Sequence, residues 1–183
     1  MRIIGGEARG RIIRIPKGCR LRPTSDMVRE ALFNILPPVT GGSFLDLFAG
    51  CGTVGLEAAS RGAARSLLVE KDPLLAKAIR ASAEGLGLAG RTEVMAAEAE
   101  RAILLLSARG ERFDFVFIDP PYERGLIEPT LERIASGNLL AQAGFAIVQH
   151  AAGEGVQTDS IGGIVLRDQR RYGNTLLSFW QGA

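Results

Sequence analysis

Two short stretches of this chain carry residue types whose spacing suits chemistry. The first runs Asp46-Leu-Phe48-Ala-Gly50-Cys-Gly52-Thr-Val-Gly55. Its Gly50-x-Gly52-x-x-Gly55 spacing lets a backbone pass close to an adenosine-containing cofactor. Glu70 stands 20 residues after Gly50, where an acid is placed to accept ribose hydroxyls. Charge then separates the adenosine cofactors. A dinucleotide would bring its pyrophosphate to this loop, and Asp46 would repel it. S-adenosylmethionine brings an ammonium and a sulfonium, both favoured by a carboxylate. One such contact at about 4 Å and an effective dielectric near 20 is worth roughly 4 kcal/mol before desolvation. Asp46, Phe48, Gly50, Gly52, Gly55 and Glu70 are therefore the expected cofactor-binding residues. The bland alternative is a loop whose glycines only make a tight turn.

The second stretch is Asp119-Pro120-Pro121-Tyr122, after the apolar run Phe113–Ile118. It suits methylation of an amino group conjugated to a ring, a planar nitrogen whose delocalised lone pair makes it a poor nucleophile. Asp119 and the Pro120 carbonyl can accept its two hydrogens and favour a more tetrahedral nitrogen. The prolines lack N–H donors and fix φ near −65°, which sets the direction of that carbonyl. Tyr122 offers a face for base stacking, worth roughly 1–3 kcal/mol. No dedicated general base is needed, since the proton leaves after the methyl arrives. His150, the sole histidine, is expected to be structural. Asp119 to Tyr122 are the candidate catalytic residues, with Asp119 also facing the cofactor; the alternative is a rigid Pro-Pro turn.

Both stretches need strands to end where they begin. From Ser43 onward β-rich runs alternate with helical ones: Ser43–Leu47, Arg65–Glu70, Thr92–Met95, Phe113–Ile118 and Phe145–His150 as strands. Thr53–Arg61, Pro73–Leu86, Ala99–Ala108 and Leu126–Ala135 are the helices between. This alternation predicts an α/β fold with a mostly parallel sheet covered on both faces, ligands binding at the carboxyl ends of its strands. Gly163–Arg167 and Thr175–Trp180, joined by a polar stretch with Arg170, Arg171 and Tyr172, break the rhythm and predict an edge hairpin. At the other end, Arg2–Gly5 and Arg11–Ile15 could pair around Gly6–Gly10. Ser25 or Thr24 would cap a helix over Met27–Leu36 that Pro37-Pro38 stops.

Composition bounds the rest. The 183 residues are 46% hydrophobic and 23% charged, values of a globular domain that exclude disorder and a collagen or disulfide scaffold. No apolar run approaches the roughly 18 residues of a membrane helix, and the first residues lack the apolar core of a secretory signal. Cys19 and Cys51, 32 positions apart, have no metal-ligand spacing and fit a reducing cytoplasm. No metal is expected. The net charge of +2 conceals an asymmetry. Residues 1–38 hold eight basic side chains (Arg2, Arg9, Arg11, Arg14, Lys17, Arg20, Arg22, Arg29) against Glu7, Asp26 and Glu30, a net of +5, which leaves −3 for the remainder. A basic segment on a mildly acidic body points to an anionic partner, with nucleic acid first. The expected division is a basic appendage over 1–38 and a catalytic domain over 39–183.

Residues 46–122 resemble class I S-adenosylmethionine-dependent methyltransferases with the amino-methylating (D/N)PP(Y/F) signature. The whole chain is similar, more particularly, to the RsmD family of bacterial 16S rRNA guanine-N2 methyltransferases. The added likeness is carried by Arg2-Ile-Ile-Gly-Gly and by the fourteen-residue run Leu21 to Asn34, LRPTSDMVREALFN. The resemblance implies a seven-stranded Rossmann-like sheet whose last strand runs antiparallel. It implies a guanine amine held by Asp119 to Tyr122, with 16S rRNA, within a small-subunit particle, as partner. A monomer is compatible with it. Glu98 falls where relatives carry an Asp on the adenine amino group, one methylene longer here. The basic segment becomes the expected grip on rRNA phosphates, with Arg2, Arg9, Arg11, Arg22, Thr24 and Arg29 as contributors. Three other readings compete: an adenine-N6 methyltransferase on DNA or RNA, a non-catalytic cofactor-binding module on RNA, and a nicotinamide oxidoreductase, which Asp46 disfavours.

Overall fold

The alternation of strands and helices is realised in a computed structural model that describes residues 1–16, 24–121, 125–154, 156 and 158–182. The chain divides into two compact units, Met1–Ala99 and Glu100–Ala183.

In the first unit the opening residues form a short antiparallel pairing. Arg2 bridges Ile12, and the Ile3 N–H donates to the Arg11 carbonyl at 2.9 Å. Helix α1 spans Asp26–Ile35, one residue earlier than the sequence suggests. Ser25 is its N-cap, its hydroxyl accepting from the Val28 N–H at 3.3 Å. There follow β1 (Ser43–Asp46), α2 (Thr53–Ser60), β2 (Arg65–Glu70), α3 (Pro73–Leu86) and β3 (Thr92–Ala96). The Asp72 carboxylate caps α3, Pro73 fills its first turn, and Gly87 ends it with φ 78°. The three strands lie parallel in the order β3-β2-β1, with Leu45 beside Leu67 and Val69 beside Met95. Their β2 side chains from Ser66 to Glu70 are all buried, as a parallel strand covered on both faces requires. Helix α2 is buried along all eight residues. Ile3, Ala8 and Ile13 join Leu56, Leu68, Ile79 and Leu86 in one core cluster, so these three side chains anchor residues 1–16 to this unit's hydrophobic interior.

The second unit holds α4 (Ala99–Ala108, which begins one residue before it), β4 (Phe113–Ile118), α5 (Ile127–Ser136), β5 (Leu140–Ala151), β6 (Ser160–Ile161), β7 (Ile164–Tyr172) and β8 (Thr175–Gly182). Their order is β4-β5-β8-β7-β6; β4 and β5 are parallel and the remaining neighbours antiparallel. The chain thus carries eight strands among the described residues, β6 adding a two-residue strand to the seven implied. Strand β5 starts five residues before Phe145. Its first half carries Ala143 at φ 58° and faces a register shift between Phe113 and Phe115, so the apolar alternation is broken there. The expected hairpin forms, but Arg170, Arg171 and Tyr172 belong to β7 rather than to a connecting stretch. Arg171 pairs with Leu176, and only Gly173 (φ 61°) and Asn174 make the turn. No helix among the described residues is long and apolar enough to cross a membrane.

Candidate functional site

In the first unit the glycine stretch leaves β1 at Asp46 and reaches α2 through Gly50 (φ 57°) and Gly52 (φ 78°). An added Cβ at Gly50 would meet nothing within 4 Å, so open space lies beside that backbone. Gly55 serves packing instead: its Cβ would fall 2.5 Å from the Leu68 Cγ, and its absence lets α2 rest on β2. Glu70 ends β2, 9% exposed, and fixes the loop from below. Its Oε2 accepts from the Gly50 N–H at 2.7 Å and its Oε1 from the Asp72 N–H at 2.8 Å.

Asp46 lies beneath the same loop, 1% exposed. Its Oδ2 accepts from the Gly55 N–H at 3.1 Å, while its Oδ1 is buried without a hydrogen-bond partner. Burial pushes its carboxyl up to about 7. The Glu70 charge adds to the rise, and the Gly55 and Phe48 N–H groups oppose it. A buried carboxyl with an orphaned oxygen is short of one positive charge, which the ammonium of S-adenosylmethionine would supply. The residues of unit one therefore fit that cofactor: open space beside the Gly50 backbone, and carboxylates at Asp46 and Glu70. The Cys51 thiol is buried, and burial pushes its pKa up, which keeps it protonated and unreactive at neutral pH. Glu98 follows β3, whose Ala96 is beside Glu70. Its side chain is 70% exposed and 3.6 Å from the Lys71 ammonium, turned to solvent rather than bonded into the loop.

In the second unit Asp119 follows β4 directly, partly exposed, with Pro120 buried and Pro121 exposed. The Gln149 amide on β5 donates to Asp119 Oδ2 at 3.0 Å. Tyr122 lies outside the described residues. His150 is structural in its contacts: Nε2 is 2.7 Å from the Ser178 hydroxyl and Nδ1 is 3.0 Å from the Ala151 carbonyl. Burial lowers its pKa and keeps the ring neutral.

The basic residues separate into two kinds. Arg2 and Arg9 are exposed, Arg2 with its Nε 3.5 Å from Asp26. Arg11 is exposed too, but its guanidinium caps α3, donating to the Leu86 carbonyl at 2.6 Å and to that of Gly85. Arg22 lies outside the described residues. The expectation that Arg29 and Thr24 meet RNA is corrected by their burial, 0% and 6% exposed. Arg29 sits on the inward face of α1, one and four positions from Val28 and Phe33, and donates to the Arg2 carbonyl at 2.7 Å and to Asp26 at 3.0 Å. Its Nε is 3.7 Å from Glu57. Glu57 itself escaped the sequence reading. Fully buried on α2, it accepts from the Ile4 N–H at 2.8 Å, the Gly5 N–H at 2.7 Å and Arg61 Nε at 2.8 Å. The signal was a lone charge in an otherwise uncharged helix. Gln149, a polar residue closing an apolar strand, was missed in the same way.

Parallel strands feeding helices, an acid-braced glycine loop at the end of β1 and an Asp-Pro-Pro run at the end of β4 define a class I S-adenosylmethionine-dependent methyltransferase. Its fold is shared by the RNA methyltransferase from Salinibacter ruber solved with S-adenosyl-L-homocysteine. That structure aligns over 87% of this chain and 93% of its own, with TM-score 0.67 and 17% identity, a likeness of fold alone. The chain belongs to the family described as conserved hypothetical protein 95, whose model matches residues 1–181. Ribosomal RNA small subunit methyltransferase D of Escherichia coli K12 is 39% identical over 159 residues, 86% of this chain and 78% of the relative. A solved Escherichia coli structure described as a candidate methyltransferase, yhhF, is 34% identical with TM-score 0.85, covering 100% of this chain and 97% of its own.

Proposed function

We propose that the chain methylates the exocyclic N2 amine of a guanine in 16S rRNA of the small ribosomal subunit. The observation that carries the reading is Asp119-Pro120-Pro121 at the carboxyl end of β4, with the Asp119 carboxylate already bonded to Gln149; Tyr122 follows in the sequence. The relative named for small-subunit rRNA methylation supports the substrate class. S-adenosylmethionine supplies an electrophilic methyl group on its sulfonium. Asp46, Phe48, Gly50, Gly52, Gly55 and Glu70 bind it in this reading, with Glu98 at the rim. Asp119 and the Pro120 carbonyl accept the two amine hydrogens and turn the nitrogen lone pair out of conjugation, Pro121 holds the turn rigid, and Tyr122 stacks on the base. The amine proton passes to solvent after transfer, since His150 is buried and bonded elsewhere.

The RNA-facing surface in this reading is the exposed part of the basic segment, Arg2, Arg9 and Arg14, with Arg11 shared between α3 and phosphate. The decisive experiment incubates the protein with labelled cofactor and small subunits from a strain lacking the enzyme, followed by nucleoside analysis. N2-methylguanosine is the expected product. N6-methyladenosine, or label in no nucleoside, overturns the proposal.

A further inference from the structure

The register of β4 and β5 places Ile118 beside Val148, so Asp119, just past the end of β4, neighbours Gln149 within β5. Gln149 is 4% exposed. Its Nε2 donates to Asp119 Oδ2 at 3.0 Å, and its Oε1 is buried with no hydrogen-bond partner. The carboxylate accepts only, which fixes the orientation of the amide: the NH2 faces Asp119 and the carbonyl must take the other side. An unpaired buried carbonyl is a net cost to the fold, and a leucine or methionine of similar size would avoid it. Buried polar groups left half satisfied call for an explanation other than stability.

We propose that Gln149 is a positioning residue for methyl transfer, holding the Asp119 carboxylate in the orientation that receives the amine. The inference rests on the reading of Asp119 given above. The Gln149 donor on Oδ2 restrains rotation of the Asp119 carboxyl group about its bond to Cβ. The same N–H favours the ionised carboxylate. Gln149 touches neither substrate nor cofactor in this account; it acts through Asp119.

Gln149→Leu separates this role from a structural one. Its kcat on small subunits should fall about 10- to 100-fold, the range of one lost hydrogen bond to a charged group, with KM for the particle and S-adenosyl-L-homocysteine affinity unchanged. Its melting temperature should equal or exceed that of the unsubstituted protein, because the orphaned oxygen is gone. Gln149→Glu, which sets a second carboxylate against Asp119, should lower kcat at least as far with KM again unchanged. Equal kcat in Gln149→Leu, or a loss of kcat that tracks a lower melting temperature and weaker homocysteine binding, overturns the role of Gln149. Absence of methyl transfer by the unsubstituted protein instead overturns the functional reading itself, and this inference with it.

Discussion

Replacing Asp46 by asparagine should make the cofactor-free protein more stable and a poorer binder. Burial pushes the Asp46 carboxyl up to about 7 in the folded protein, against 3.8 for an unperturbed aspartate. A raised carboxyl pKa means that the folded state prefers the proton. Stability tied to this group is therefore complete below about pH 4 and is lost as pH rises toward 7. The gap of just over three units corresponds to an upper bound of about 4 kcal/mol of destabilisation at pH 8. Asparagine removes that penalty and can still accept from the Gly55 N–H. Its NH2 then replaces the orphaned oxygen and is itself buried without an acceptor, a conflict costing about 1–3 kcal/mol. The net gain at pH 8 is about 1–3 kcal/mol, or a rise in Tm of roughly 2–12 °C for a chain of this size. At pH 4 the penalty is absent, the conflict is not, and the variant should melt below the unsubstituted protein. Binding moves the other way. A cation held roughly 6–8 Å from the carboxylate gains about 2–3 kcal/mol at an effective dielectric near 20, so calorimetric affinity for S-adenosyl-L-homocysteine at pH 8 should fall about 30- to 100-fold. In the unsubstituted protein the same affinity should weaken below pH 7, by up to tenfold per pH unit. A variant that is destabilised equally at pH 4 and pH 8 would refute the account of Asp46.

Gly55→Ala should lose about 1–3 kcal/mol in urea unfolding and weaken homocysteine binding, because the new Cβ overlaps buried Leu68 and shifts the N–H that holds Asp46; unchanged binding would detach Gly55 from the loop. Glu57→Gln leaves Arg29 facing a neutral partner in a fully buried position, and a loss of about 2–4 kcal/mol is expected. An unchanged urea midpoint would show the pair to be dispensable. Arg9→Ala combined with Arg14→Ala should lower rRNA affinity and reduce the slope of log affinity against log salt by about 1.5–2, with homocysteine affinity intact; an unaltered slope would remove both residues from the RNA surface.

The strand and helix pattern was legible from Arg65 to Ile118 because each element there is either apolar throughout or amphipathic with a clear stop. Helix α3 matches its expected bounds since Asp72, Pro73 and Gly87 act locally. Helix α4 does so because its apolar spacing is intact. Beyond Leu139 local signals mark the strands but not their bounds. The start of β5 runs through Gln142, Ala143 and Gly144, which have no alternation to read, and pairing with β4 decides the outcome. Arg170 and Arg171 read as a connection because charge suggests solvent, yet an antiparallel edge strand accepts charge on its open side. At the site, Asp46, Glu70 and Asp119 were visible as acids at strand ends. The burial of Asp46 and of Arg29 was not, since a charged residue enters the interior only where partners distant in sequence await it. Glu57 is 28 residues from Arg29 and more than 50 from the N–H groups of Ile4 and Gly5.

Those long-range partners bear on how the basic segment can be tested. Deleting residues 1–20 is the obvious probe of RNA binding, but it would also remove Ile3, Ala8 and Ile13 from a core shared with Leu56 and Leu68. It would strip the Glu57 carboxylate of two N–H donors and leave it in the interior. The Ser60 hydroxyl would lose the Gly5 carbonyl it donates to at 2.7 Å and the Ala8 N–H it accepts from at 3.0 Å. Leu56, Glu57 and Ser60 all sit on α2, whose other end begins at Gly52 and holds the Gly55 N–H on Asp46. Eight residues of helix thus carry the glycine loop at the N-terminus and the clamp on the basic segment at the C-terminus. A truncated protein that loses homocysteine binding would therefore report damage to α2 and say nothing of RNA. Substitutions at exposed Arg9 and Arg14, which leave the buried anchors in place, isolate the electrostatic contribution that a deletion confounds.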